Sequence, residues 1–161
     1  MSEPLVFMMG EFEALFPTDR MYAKNHMWAM QGNPQSEIRN PQSNLWRFGF
    51  AAYAVRLLQD VYFLDWAIDA DVVLTEGQEI GAIESSKAES SLYSPIAGHL
   101  PRLNETLMQD PSAINVDKYG DGWLFEIDGE GHNLLTPEDY VTHLEAVWEV
   151  TQKTIKGQLN Q

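Results

Sequence analysis

The stretch Ile83-Glu84-Ser85-Ser86-Lys87-Ala88-Glu89-Ser90-Ser91 sets one lysine between two serine pairs and two glutamates, in a chain with only 10 Lys and Arg against 24 acids. It reads as a strand to Glu84, a tight reversal through Ser85 to Ala88, and a returning strand from Ser90 to Tyr93. Lys87 is therefore expected at a hairpin tip with its amine in water. A nucleophilic lysine needs burial or a cationic neighbour, and Glu84 and Glu89 are the opposite. A Ser-x-x-Lys acyl-enzyme motif fails because Glu84 holds the serine position. A phosphate-binding loop fails because the glycine frame is missing. Two readings remain: a solvated turn lysine, or a lysine offered to another protein for modification. A hairpin suits the second, since both strands hold the side chain outward.

The elements that would position this tip are mostly strands. Leu45 to Phe50 is strand-like and Ala51 to Leu58 is an Ala-rich short helix. Val61 to Leu64, Asp71 to Leu74 and Ile80 to Glu84 are short apolar runs divided by turn signals such as Glu76-Gly77, the pattern of a sandwich or barrel. Ile96 to Leu103, a short helix near Asn104 to Met108, and a strand at Trp123 to Ile127 follow. A last helix is expected over about residues 137–155. Thr136 can cap it, Pro137 suits its first position, Glu138 and Asp139 suit its dipole, and Tyr140, Leu144, Val147 and Thr151 share one face. That face should cover one side of the sheet core. Residues 1–17 form an apolar N-terminal extension expected to pack rather than trail. Residues 18–161 read as a single domain with a long loop at 31–44, where Asn-Pro-Gln-Ser occurs at 33–36 and again at 40–43.

Composition excludes several function classes. A formal charge of −14 repels phosphate backbones and anionic membranes, so no nucleic-acid or membrane partner is expected. With no cysteine the chain cannot use a disulfide, a thiolate or a cysteine metal site, which suits a reducing compartment. The N-terminal MSEPLVFMMGEFEALF lacks the basic start of a secretory signal and the Arg-rich bias of a transit peptide, so a cytoplasmic location is expected. His26, His99, His132 and His143 show no metal-ligand spacing, and Trp28 and Trp123 are expected to pack in the core and at a sheet edge.

The run Gly81 to Gly98 resembles the lipoylation site of the glycine cleavage system H protein family, in which Glu-Ser-x-Lys-Ala leads into Ser-x-x-Tyr-Ser-Pro and a later Gly. Further matches are Tyr22-x-Lys24-x-His26-x-Trp28, Gly49, Tyr53 and Ala54, Asn104-Glu105, Ile114-Asn115 and Tyr119-Gly120-x-Gly122-Trp123. The resemblance implies a mostly β fold: a flattened two-sheet sandwich of the lipoyl/biotinyl type, a barrel-sandwich hybrid with marginal helices. Biotin carriers flank their lysine with Met, whereas Ser86 and Ala88 stand here. The resemblance further implies lipoate in amide linkage to Lys87, within an attachment motif of Glu84, Ser85 and Ala88, on a carrier rather than an enzyme. Its partners would be glycine decarboxylase, aminomethyltransferase, dihydrolipoamide dehydrogenase and a lipoate ligase or lipoyl transferase. The alternative is an H-like carrier for another system, either a sulfur-oxidising heterodisulfide-reductase-like complex or a lipoate relay. Met27 and Ser91 stand where the family usually has acids associated with the amine of the loaded arm. Gln59 replaces a frequent Gly, Ala52 replaces a frequent acid, and Pro101 falls within a strand.

Overall fold

A computed structural model describes residues 3–32 and 44–159, with side chains as far as Gln152. The Asn-Pro-Gln-Ser repeat and most of the expected 31–44 loop lie outside the described residues. The elements in chain order are β1 (Leu5–Met9), β2 (Phe12–Phe16), β3 (Met21–Tyr22), β4 (Met27–Gln31), β5 (Leu45–Phe50), α1 (Ala52–Leu58), β6 (Val61–Trp66), β7 (Val72–Leu74), β8 (Glu79–Ser85), β9 (Glu89–Tyr93), β10 (Gly98–Leu103), α2 (Thr106–Gln109), α3 (Ala113–Val116), β11 (Phe125–Asp128) and α4 (Pro137–Leu159). All pairings within named strands are antiparallel.

Two sheets face each other across the main core. One has six strands in the order β3-β4-β5-β11-β10-β7, and the other has three in the order β6-β8-β9. Met27, Ala29, Phe48, Phe50 and Phe125 of the first pack with Val61, Leu64, Ile80, Ile83 and Leu92 of the second. Period-2 alternation drives this burial: on β8, Ile83 is buried between exposed Ala82 and Glu84. The expected strand at Trp123 to Ile127 starts later, at Phe125, although Leu124 already bonds through its N–H to the Phe48 carbonyl at 2.7 Å. Pro101 sits at a register irregularity between His99 and Arg102, a place where a strand tolerates a residue with no N–H. Gln59 ends α1 at φ 61°, backbone that favours glycine. The buried Arg47–Glu126 pair, 3.2 Å apart, crosses β5 to β11, and the Arg47 guanidinium lies 4.1 Å from the Trp123 ring centre. None of the helices among the described residues is long and apolar enough to cross a membrane.

A second core lies on the other face of β4, where Trp28 and Tyr22 point away from the sandwich. Residues 5–16 form a two-stranded hairpin whose Phe7, Met9, Ala14 and Phe16 cover those rings, and α4 closes the cluster with Tyr140 and Leu144. The Thr136 hydroxyl accepts the Asp139 N–H at 3.1 Å, capping α4. Tyr22 and Tyr140 stack at 4.8 Å, and Phe16 meets both edge-on at 5.8 and 5.3 Å. Tyr119 ties the hairpin down by donating its hydroxyl to the Leu15 carbonyl at 2.7 Å. Phe16 has 0% of its surface exposed, so Phe16→Ala should lower unfolding free energy by about 3–5 kcal/mol, read by chemical denaturation. A loss under 1 kcal/mol would show that the hairpin does not seal this core.

Candidate functional site

The β8–β9 hairpin brings Glu84, Ser85, Lys87 and Ala88 together at one tip. Ser85 organises the turn: its N–H donates to the Ala88 carbonyl at 2.9 Å, and its hydroxyl accepts the Ala88 N–H at 3.1 Å while lying 3.1 Å from the Ala88 carbonyl. A second fixture comes from outside the hairpin. Ser86 N–H donates to the Asp60 carbonyl at 2.8 Å, and the Ser86 hydroxyl accepts the Asp60 N–H at 3.1 Å. Asp60 is held in turn by the α1–β6 connection, where Asn115 accepts the Val61 N–H at 2.9 Å and donates to the Gln59 carbonyl. Lys87 is exposed, and among the described residues its side chain joins no ion pair. Directly below it the register sets Glu84 opposite Glu89, both exposed. Facing like charges cost stability, so this pair is unfavourable for the fold itself.

A groove begins where the tip ends. Its volume is about 390 Å³, and β9 from Ala88 to Tyr93 forms one wall. At a strand rise of about 3.3 Å per residue that wall is roughly 17 Å long. Ala54, Leu57 and Leu58 of α1 face it, and Met27, Phe50 and Ile83 line it as well. Met27 is 1% exposed. Ser91 is half-buried on the β9 wall, and Glu89 is exposed on that same strand beside the tip.

His26 borders the groove and was not legible as a site residue. It sits at φ 69° in the turn before β4, and its Nδ1 lies 2.8 Å from the Tyr140 hydroxyl. Burial, and secondarily the neighbouring His143, pushes the His26 ring down to about 4. Burial also raises Tyr140 well above the usual phenol range, so a neutral imidazole and a protonated Tyr140 share this hydrogen bond. These two residues are 114 positions apart, which is why no spacing in the sequence points to the pair.

A flattened antiparallel sandwich that presents one pinned lysine on a hairpin defines a protein of the lipoyl-domain class. The Glycine cleavage H-protein family model matches residues 20–147. The glycine cleavage system H protein of Pseudoalteromonas translucida is 35% identical over 133 residues, covering 80% of this chain and 95% of the relative. The probable glycine cleavage system H protein of Natronomonas pharaonis is 35% identical over 127 residues, covering 77% and 92%. A crystal structure of a glycine cleavage system H protein from Mycobacterium marinum superposes with a TM-score of 0.64 at 29% identity, covering 79% of this chain and 97% of that one. The chain belongs to the glycine cleavage H-protein family. The hairpin β1–β2 lies before the matched region.

The His26 shift has a pH signature. Unfolded histidine binds its proton near 6.5, so between about 4 and 6.5 the unfolded chain holds a proton that the folded chain excludes. This contribution to stability is complete above pH 6.5 and is lost as pH falls through that window, by roughly 3 kcal/mol. His26→Asn, which tolerates the left-handed backbone, should flatten that part of the stability–pH curve relative to the natural protein. Identical curves for the two proteins would mean that His26 titrates as it does in water.

Proposed function

We propose that the protein is the lipoyl-lysine carrier of a glycine cleavage system, with Lys87 as the attachment residue. The observation that supports this most is the exposed, doubly fixed tip that presents Lys87 within the family-like run from Gly81 to Gly98. The residues fit the group: an exposed amine that joins no ion pair among the described residues, and beside the tip an apolar groove suited to an alkyl chain. Lipoate bound there supplies a dithiolane whose sulfurs accept and release both a carbon group and electrons. The chain's own task is carriage, with catalysis left to its partners. The cargo is the aminomethyl group of glycine, taken from a glycine decarboxylase and delivered to an aminomethyltransferase, with dihydrolipoamide dehydrogenase restoring the carrier. Tethering keeps the reactive end at high effective concentration near each partner. The curated relatives bear the glycine cleavage name, which favours this system over other lipoyl-dependent ones.

Each tip residue has a role in this reading. Ser85 closes the turn through its hydroxyl and N–H, so the Lys87 backbone is presented in one conformation. Ala88 follows Lys87 with no bulk to obstruct a modifying enzyme. Glu84 faces Glu89 at a cost to the hairpin, and we assign it to recognition by the lipoate ligase or lipoyl transferase.

Co-expression with a lipoate ligase and lipoate should add one lipoyl mass, and Lys87→Arg should abolish it while unfolding free energy stays within about ±0.5 kcal/mol. Attachment at any lysine other than Lys87, or no attachment, would overturn the carrier reading. Glu84→Gln should slow lipoylation with the melting temperature unchanged. Equal rates would remove Glu84 from the recognition element.

A further inference from the structure

The hairpin β1–β2 seals the second core with one face and leaves the other uncovered among the described residues. Phe7, Met9, Ala14 and Phe16 are buried, so alternation sends Val6, Met8, Glu13 and Leu15 to the outer face. The register sets Val6 opposite Leu15 and Met8 opposite Glu13, which gathers the four side chains into one patch. Val6 is 50% exposed, Met8 46% and Leu15 45%. The charges around this patch have one sign. Residues 3–19 contain Glu3, Glu11, Glu13 and Asp19 and no lysine or arginine, and the three glutamates are exposed. Asp19 is already paired with Arg20 at 2.8 Å, and Arg56 of α1 is engaged over the Phe12 ring, 4.3 Å from its centre.

A sheet face with three large apolar side chains in water gains by being covered. The inner face is packed into the core and Tyr119 holds the Leu15 carbonyl, so a partner meets a surface that is already ordered. Two strands of five residues make a ribbon roughly 17 Å long and about 10 Å wide. That is the footprint of about three turns of one helix. It is far below the roughly 800 Å² that each partner gives to a stable dimer, and a second copy would bring its own charge of −14. The complement of this face is therefore an apolar helical stripe flanked by lysine or arginine.

We propose that the outer face of the β1–β2 hairpin docks a basic amphipathic helix of a partner protein. The apolar stripe of that helix covers Val6, Met8 and Leu15, and its cations meet Glu3, Glu11 and Glu13. The hairpin lies before the matched family region, and none of its residues lines the groove beside Lys87. Docking thus uses residues separate from the proposed carrier site and does not depend on what Lys87 carries.

Two capped peptides serve as probes on the full chain: the sequence Lys-Leu-Ala-Lys-Leu-Ala-Lys repeated twice, and the same sequence with glutamate at every lysine. Both place leucine along one helical face and differ only in charge. The lysine peptide should shift the methyl NMR resonances of Val6, Met8 and Leu15 saturably, and should do so more weakly in high salt. The glutamate peptide should bind at least about tenfold more weakly. Met8→Lys, a change at an exposed position, should keep the natural melting temperature and weaken the lysine peptide at least about fivefold. Should that variant fail to fold, Glu13→Lys carries the same test by reversing the charge in place. No binding, or equal binding of the two peptides, would overturn the proposal. So would shifts as large at Val73, Met108 and Val116, which are exposed elsewhere and would report charge attraction without a site. The protein alone should sediment as a monomer, and a dimer that Met8→Lys dissociates would give the face to a second copy and overturn the proposal.

Discussion

Burial of Ile83 and Leu92 on the inner face of the three-stranded sheet is the constraint on which the site depends. Alternation along β8 and β9 means that once these two side chains enter the core, Glu84 faces solvent and the turn at Lys87 projects beyond the sandwich. A slip of one residue would send Ile83 into water and reverse every side chain of the hairpin. The tip therefore has its direction set by hydrophobic burial and only its local shape set by hydrogen bonds. Those bonds come from two sources, Ser85 within the hairpin and the Asp60 backbone outside it. Asn115 extends the second support by holding both the Gln59 carbonyl and the Val61 N–H.

The second core does a different job. Tyr22, Tyr53, Tyr119 and Tyr140 surround His26 and Trp28 on the far side of β4, under a hairpin that lies before the matched family region. This cluster fixes the start of β4 and with it the placing of His26 and Met27 at the groove. The buried Trp28 donates its indole N–H to the Lys118 carbonyl at 2.8 Å, and Gly49 leaves room for the ring, since a Cβ there would lie 2.6 Å from it. Several residues that resemble the family's pattern are thus clamps rather than site groups. Asn104 holds the Asp121 and Trp123 carbonyls at 3.0 and 2.7 Å, and at Gly122 a Cβ would meet the Ala113 carbonyl at 2.6 Å.

What could be read from the sequence was whatever is decided locally. The hairpin around Lys87, the short strands and the Thr136-capped last helix each follow from alternation, turn residues or capping within about a dozen positions. The sandwich followed from many short strands at short intervals together with the resemblance. The groove was not legible, because its walls come from Met27, Leu57 and Leu92, which only the tertiary fold brings together. The apolar composition of residues 5–16 showed that they pack but not against what, since the choice between two faces of β4 is made by Phe16, Tyr22 and Tyr140 in three dimensions. The later start of β11 at Phe125 reflects the Tyr119–Gly122 turn, whose bonds from Gly120 and Gly122 to the Asp117 carbonyl keep Trp123 out of the ladder.

The proposed reading, in which the sandwich presents a single lysine and separate enzymes supply the chemistry, accounts for both the exposed tip and its hydrogen-bonded surroundings. The central claim is that lipoate on Lys87 serves glycine cleavage. Glycine–bicarbonate carbon exchange catalysed by a glycine decarboxylase, with this protein as the acceptor, tests it most directly. The account predicts saturable exchange that requires lipoylation and disappears in Lys87→Arg. Exchange by the lipoylated protein no faster than by the unlipoylated chain, under conditions where an established H protein supports it, would contradict the account.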